Sequence, residues 1–319
     1  MMTATINWTA GPAAAAALGL LIMAGCHSKP AVQCAASADY EAGIAAWREE
    51  RIANLKKENG WLSLAGLYWL EQEESSVGSD PAGAIVLPSR APALIGTIFA
   101  KDGEARIEIA GGVEAFCNGE PVSGMVLYSE ADPERKPDRI AVGDFTFFVI
   151  KRGERLAVRL YDKQAESLLG FKGIETFPAK PCWRIEARFE PYDEPKIVKV
   201  STIIHTTEEA TVPGEVVFTI DGKEHRLTPM AEPGAEELFF VFADATSGKE
   251  TYGGGRFLDA PLPVEGKVVL DFNKAYNPPC AFTPYATCPV ARPENRLEAA
   301  VTAGEKKYRK PGKEDAAGH

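Results

Sequence analysis

The stretch EVVFTIDGKEHRL, residues 215–227, indicates how this chain folds. Apolar residues recur with a period of two before Asp221-Gly222, and a shorter run, 225–227, follows the pair. An Asp-Gly pair between two such runs favours a tight hairpin turn, because both residues accept the positive backbone angles that the turn requires. The stretch therefore predicts two antiparallel strands joined by a short turn.

Similar runs lie on both sides of this hairpin, and Gly, Pro, Asp and Asn separate them. They are residues 84–87, 96–100, 105–109, 145–150, 156–160, 184–189, 197–204, 238–242 and 267–272. Many short strands with frequent turns are typical of β-sandwiches and barrels. We therefore predict a mainly β protein with two sandwich- or barrel-like domains, 37–178 and 182–305, divided at the Pro-rich seam 177–181.

One amphipathic helix is expected before the strands. Ser37 is suited to be its N-cap, and Asn59-Gly60 is suited to end it. Its apolar face at helical spacing consists of Tyr40, Ile44, Trp47 and Leu55. We interpret this stripe as packing. At the other end of the chain, residues 294–305 are expected to form a short helix and 306–319 a flexible tail.

The N-terminus carries the pattern of an export signal. The apolar run 13–23 is shorter than the roughly 20 residues that span a bilayer, but it suits a signal peptide. Small residues before Cys26 resemble a lipobox, in which the cysteine is acylated and becomes the new N-terminus. We predict a lipoprotein signal peptide (1–26), a tether (27–36) and a lipid-anchored place in the cell envelope, at the outer membrane or periplasmic face in a Gram-negative cell. A cleaved signal peptide without lipid and a buried N-terminal helix are the alternatives.

The composition excludes two classes of protein. Hydrophobic residues make up 45% of the 319 residues, an ordinary fraction for a globular protein, so extensive disorder is not expected. The net charge is −10, and the basic stripe that a nucleic-acid binder needs is missing. An acidic surface is also repelled by anionic lipid, so membrane attachment must depend on acylation.

Two stretches resemble a known family. They are GWLSLAGLYWL with VGSD (60–70 and 77–80), and DFNKAYNPPC with its continuation (271–280, 288–289 and 294–297). Together with 251–252 and 255–258 they resemble domain of unknown function 1684 of bacteria and archaea, over roughly residues 40–307. The resemblance implies a family that is often exported and implies no activity or cofactor.

The first half also resembles a forkhead-associated β-sandwich. The residues concerned are 77–80, 84–88 and Asn118-Gly119. Such domains read phosphothreonine with an Arg after the first Gly and with a Ser followed by His. Ser79 stands at the Arg position and no His follows, and an oxyanion needs charged donors to offset its desolvation. The resemblance therefore implies a scaffold without phosphopeptide recognition.

No catalytic motif is recognisable in the sequence, so the catalytic residues are unknown, and a Ser–His–Asp triad stays open because its members need not be near in sequence. His205 and His225 have no metal-ligand partner three or four residues away, and a Gly-x-Ser-x-Gly elbow is missing. We predict no cofactor and no metal. Cys280 and Cys288 are best interpreted as a disulfide, with free thiols and a metal site that includes Cys182 as the alternatives.

The densest group of polar residues lies between residues 244 and 295. Glycines beside an Arg fork, at strand ends, suit the binding of a small polar or anionic ligand. The predicted ligand-binding residues are Tyr252, Arg256, Asp271, Asn273, Tyr276, Asn277, Glu294 and Asn295. Turn capping and ion pairing inside the fold are the alternative roles.

Three functions follow from these patterns. The first is an envelope lipoprotein that binds a ligand or partner in a cleft around Arg256. The second is a hydrolase with Asp271 or Glu294 as general base and Arg256 on an oxyanion. The third is a metal module built on Cys182, Cys280 and Cys288. We favour the first.

Overall fold

The computed structural model describes residues 37–132 and 135–310, and these are mainly β. The predicted signal peptide 1–26, Cys26 and the tether 27–36 lie outside these residues. The strands are β1 Leu64–Trp69, β2 Glu74–Gly78, β3 Ile85–Val86, β4 Gly96–Lys101, β5 Glu104–Ile109, β6 Phe116–Cys117, β7 Glu120–Pro121, β8 Gly124–Leu127, β9 Ile140–Val142, β10 Phe145–Arg152, β11 Arg155–Asp162, β12 Arg184–Ser201, β13 Thr207–Ile220, β14 Lys223–Leu227, β15 Glu237–Phe242, β16 Arg256–Pro261 and β17 Lys267–Asp271. The predicted fold class, mainly β with an N-terminal helix, is confirmed.

Helix α1 spans Ala38–Leu55 and begins at the predicted cap, because the Ser37 side chain accepts a hydrogen bond from the Tyr40 backbone N–H at 3.2 Å. It ends before the predicted Asn59-Gly60 pair, and the chain then turns back under the helix. A Cβ on Gly60 would lie 2.4 Å from the Leu55 carbonyl oxygen, so this close turn requires glycine. A second, short helix, α2, spans Glu166–Leu169.

Two sheets form a sandwich in the first half of the chain. One has the strand order β1-β11-β10-β9-β6-β7 and the other β3-β2-β4-β5-β8. The alternate residues that face inward form one apolar core, and Phe147 and Ile98, which come from opposite sheets, are almost completely buried in it. Burial of this apolar surface is what holds the sandwich together.

The predicted hairpin is present in the second half. Strands β13 and β14 pair with Ile220 opposite Lys223, and Asp221 and Gly222 have φ angles of 51° and 79°. The four-stranded sheet has the order β14-β13-β12-β17, and β15 pairs with β16 beside it. Their shared core contains Phe240 and Leu270.

The predicted seam at 177–181 separates the sandwich from the second group of strands, but a common core joins the two halves. Phe148 and Tyr161, on the outer face of the β10–β11 pair, pack in one cluster with Val241 and Phe257 of the second half. All described residues belong to one compact unit. The two groups of strands are therefore packed layers rather than separate bodies.

Two predictions for the end of the chain are wrong over the described residues. Residues 294–305 contain no α-helix, only the end of a 3₁₀ turn, Pro293–Asn295, because the irregular segment that follows buries Val301 and Ala303 in the core. The first part of the predicted tail is packed, since the Tyr308 ring lies 4.7 Å from that of Phe282. Among the described residues, no helix is long and apolar enough to cross a membrane.

Candidate ligand-binding pocket

Arg256, the centre of the predicted polar cleft, is enclosed in the protein. It has no exposed surface, and its guanidinium pairs with the Asp244 carboxylate at 2.7 Å. Its other bonds go to backbone carbonyls of the C-terminal segment, including Val301 at 2.9 Å and Ala303. Burial lowers the pKa of Arg256, and Asp244 opposes this effect. Arg256 therefore fastens the C-terminal segment and cannot reach a ligand in solution.

Asp271 and Asn273 are likewise engaged in structure. The Tyr40 hydroxyl of α1 donates to both Asp271 carboxylate oxygens, at 2.9 and 3.0 Å. The Asn273 side chain accepts from the Lys180 backbone N–H at 2.9 Å and donates to the Lys180 carbonyl at 2.8 Å. These bonds attach α1 and the Pro-rich seam to the end of β17.

The two other predicted asparagines are buried and bonded. Asn277 donates to the Glu305 carboxylate through its backbone and its side chain, at 2.7 and 3.0 Å. Asn295 donates to the carbonyls of Thr228 and Val241 and accepts from the Thr228 backbone and hydroxyl. Buried amides that are bonded in this way stabilise loops.

Glu294 is exposed and pairs with Arg292. Tyr252 is half-buried, and burial raises the pKa of its phenol, with a further contribution from a hydrogen bond to Cys280. Only Tyr276, of the eight predicted residues, lines the cavity described below. The cluster expected around Arg256 is therefore a structural network.

The two cysteines of the predicted disulfide are neighbours but are free thiols in this structure. The Cys280 backbone N–H donates to the Cys288 sulfur at 3.1 Å. A hydrogen bond between the thiols lowers the pKa of Cys280 and raises that of Cys288. Cys182 is disulfide-bonded, which removes it from the alternative metal site. Within residues 37–132 and 135–310, no group of three or more His, Cys, Asp or Glu side chains is placed to hold a metal ion.

A different cavity lies between α1 and the β15–β16 hairpin, and we call it the Tyr276 pocket. Its volume is about 390 Å³. It is lined by Trp47, Glu50, Arg51, Asn54, Trp61, Phe239, Phe257, Asp259, Tyr276 and Pro279. Concave sites of this size with aromatic walls and few polar groups are typical of small-molecule binding.

Regular pairing positions the back wall of the pocket. Phe239 and Asp259 are opposite each other in the β15–β16 ladder. Tyr276 is held beside β16 because its backbone exchanges two hydrogen bonds with Phe257, both of 2.9 Å. The Phe257 ring is perpendicular to the rings of Phe239 and Tyr276, at centroid distances of 4.8 and 5.8 Å. Such edge-to-face contacts fix the wall.

The front wall comes from α1 and from the turn that follows it. Trp47 faces Tyr276 across the helix–sheet contact, with ring centroids 6.4 Å apart. Arg51 lies over the Tyr276 ring at 4.6 Å and bonds to the Glu305 carboxylate at 3.2 Å. Trp61 reaches the pocket because the Gly60 turn reverses the chain.

Asp259 is an exposed acid of the pocket lining. The Tyr276 hydroxyl donates to one of its oxygens at 2.9 Å. The pKa of Asp259 is raised, first because the surrounding groups displace water, whereas the Tyr276 bond acts in the opposite direction. Its second oxygen, and the Glu50 carboxylate, accept no hydrogen bond from the described residues. The pocket therefore has polar groups that remain available.

Sequence reasoning did not find this pocket. The interpretation of the helical stripe as packing is correct for Ile44 and Leu55 but incomplete for Trp47, which is partly exposed and lines the pocket. Asp259 is one charged residue in a strand, and nothing in its local sequence marks it. The sequence feature that could have indicated this pocket is the pair Trp47 and Trp61 on either side of the end of α1. Large aromatic residues that stay partly exposed often line binding sites.

The fold and the pocket define a mainly β protein with an aromatic-walled cavity. Residues 169–306 match the model of a family described as a protein of unknown function, DUF1684, which confirms the predicted resemblance over that segment. The chain is also similar to a protein of Haloarcula marismortui, described as uncharacterized and solved by solution NMR. The identity is 33%, over 43% of this chain and 77% of that chain, with a TM-score of 0.37. No curated protein matches the chain.

Proposed function

We propose that this protein binds a small organic ligand in the Tyr276 pocket. The observation that carries the proposal is the combination of aromatic walls with the unpaired carboxylates of Glu50 and Asp259 in one open cavity. Unpaired polar groups against apolar walls give orientation and affinity to a ligand that satisfies them. The proposal keeps the binding function predicted from the sequence but assigns it to the Tyr276 pocket instead of a cleft around Arg256.

The test is to fill the mouth of the pocket. Asn54 is exposed on α1 and lines the cavity, while its neighbour Ala53 is exposed and does not. The full chain and the variants Asn54→Trp and Ala53→Trp are titrated with choline, spermidine, glucose and citrate, and binding is followed by tryptophan emission and calorimetry. We expect at least one compound to bind the parent and Ala53→Trp, and to lose binding in Asn54→Trp. Equal binding by both variants would refute the proposal.

We further propose that the protein is exported and anchored through acylated Cys26. The apolar run 13–23 and the small residues before Cys26 support this. Mass spectrometry of the protein from membranes tests it. A mature N-terminus at Cys26 with attached acyl chains is expected, and a chain that begins elsewhere or carries no lipid would contradict it.

The sandwich is proposed to be a forkhead-associated-like scaffold that does not read phosphothreonine. This is supported by Ser79, whose hydroxyl donates to the Ala91 carbonyl at 2.8 Å and is thereby engaged within the fold. A phosphothreonine peptide library incubated with the protein should give no binding above the level of the unphosphorylated library.

The hydrolase alternative has less support in its predicted form. It needs Arg256 to contact an oxyanion, and Arg256 is fully buried in its pair with Asp244. The proposed general base Asp271 is engaged by Tyr40. Binding at the Tyr276 pocket is therefore the function that the geometry supports best.

A further inference from the structure

We infer that the ligand of the Tyr276 pocket is a small organic cation, a compound with an ammonium or guanidinium group on a short apolar frame. The inference rests on the proposed binding function and specifies the class of its ligand. It narrows the small polar or anionic ligand expected from the sequence and replaces the anion by a cation, because the charges and the aromatic rings of the pocket favour a positive ligand.

The pocket has an excess of negative charge. Glu50 and Asp259 line it as carboxylates that form no ion pair with the described residues, although Arg51 acts on Asp259 as a nearby positive charge. Its one lining cation, Arg51, forms an ion pair with Glu305 at 3.2 Å and also donates to the Asn277 carbonyl at 2.9 Å. Arg159 is not a lining residue, and its guanidinium carbon lies 5.9 Å from the Trp61 ring centroid. An anion would therefore meet two carboxylates and no free cation of the lining.

The aromatic walls are suited to the same ligand. The electron-rich faces of Trp, Tyr and Phe attract cations, and Trp does so most strongly. The pocket already contains one such contact, since the Arg51 guanidinium lies 4.6 Å from the Tyr276 centroid. Trp47 and Trp61 supply two further indole rings to the lining. A ligand cation between these rings would face aromatic surface and carboxylates together.

Asp259 couples the binding of a cation to its own ionisation. Its carboxylate has lost part of its hydration to the surrounding groups, and the nearby Glu237 also raises its pKa, while Arg51 and the Tyr276 hydroxyl lower it. A cation bound beside Asp259 would replace the lost hydration and lower that pKa. Binding and ionisation of Asp259 are therefore coupled, so affinity for a cation should decrease as the pH falls through the pKa of Asp259.

The experiment compares ligand charge and carboxylate removal in the full chain. Choline and spermidine are titrated as cations, glucose as a neutral compound and citrate as an anion, with tryptophan emission and calorimetry as the readouts. The variants are Asp259→Asn and a matched control, Glu236→Gln, which removes an exposed charge outside the lining. We expect a cation to bind, Asp259→Asn to weaken it about tenfold or more, and the control to change it less than about twofold.

The outcomes separate this inference from the proposed function. If glucose or citrate binds and Asn54→Trp prevents it, while neither cation binds, the ligand class is wrong and the binding function stands. If a cation binds Asp259→Asn as tightly as the parent, the inference also fails. If no compound binds the parent at any concentration tested, the inference and the proposed function both fail.

Discussion

The network around Arg256 and the Tyr276 pocket are both rich in polar residues, but they differ in whether their charged side chains form ion pairs. Arg256 is fully buried and is bonded to Asp244 and to the C-terminal segment. Asp259 keeps one carboxylate oxygen without a donor among the described residues and faces an open cavity. The first arrangement holds the fold together, and the second is available to a ligand.

The difference between the Arg256 network and the Tyr276 pocket shows that a dense group of polar residues in a sequence indicates where a fold needs hydrogen bonds. Folding then uses most of those groups, because a buried polar group without a partner is costly. The polar groups that can bind a ligand are those that the fold does not pair.

Replacing Arg256 by Ala should destabilise the protein strongly. The change leaves the buried Asp244 carboxylate without its partner, which typically costs about 3–5 kcal/mol. Urea unfolding measures the loss. Arg188→Ala, which removes an exposed ion pair with Glu190, serves as the control and should change the free energy of unfolding little. A stable Arg256→Ala protein that has lost cation binding would contradict this, because it would give Arg256 a role in binding rather than in stability.

Oxidation of the cysteine pair should have the next largest effect. Cys280 and Cys288 are adjacent thiols, and the lowered pKa of Cys280 favours its thiolate, the form that attacks a disulfide. Glutathione disulfide should convert the pair to an intramolecular disulfide and release two glutathione thiols. Closing this short loop contributes about 2.6 kcal/mol on the chain-entropy relation, before any strain.

Intact mass and peptide mapping measure the formation of that disulfide, and thermal unfolding measures its effect. The Cys288→Ser variant is the control, because it can form only a mixed disulfide with glutathione. A persistent mixed disulfide in the parent chain would show that the two sulfurs cannot approach closely enough to bond.

The Tyr276→Phe variant should have the smallest effect on stability and a specific effect on the pocket. It removes the hydroxyl that donates to Asp259, so the pKa of Asp259, already raised, should rise further. A raised carboxyl pKa means that the negative charge is lost at higher pH. The pH at which cation affinity declines should therefore move upward, as measured by calorimetry across a pH series. An unchanged profile would mean that Asp259 does not control binding.

The sequence was sufficient for the class of fold because its signals are local. Asp221-Gly222 takes the positive φ angles of its turn, and Ser37 caps the helix, since both depend on a few neighbouring residues. The helix predicted for 294–305 is absent because tertiary contacts bury Val301 in the core within an irregular segment. Local preference yields to burial at such positions.

The site could not be located from the sequence for the same reason. Trp47 and Asp259 are more than two hundred residues apart, and no local pattern relates them. Arg256 beside three glycines had the composition of a binding loop, and only the position of Asp244 under the C-terminal segment shows that its charge is already satisfied. Whether a charged side chain is already paired is decided by the folded chain and not by its local sequence.

The division of the pocket between two parts of the chain has a consequence for its relatives. The segment that matches the family, 169–306, contains Phe239, Phe257, Asp259, Tyr276 and Pro279, but the other five lining residues precede it. A homologue that shares this segment would have the β15–β16 side of the Tyr276 pocket. The other side of its pocket would depend on its own α1 and on the turn that follows it. Under the binding function proposed for the Tyr276 pocket, substitutions in α1 alone would change its specificity while the sheet behind it stays unchanged.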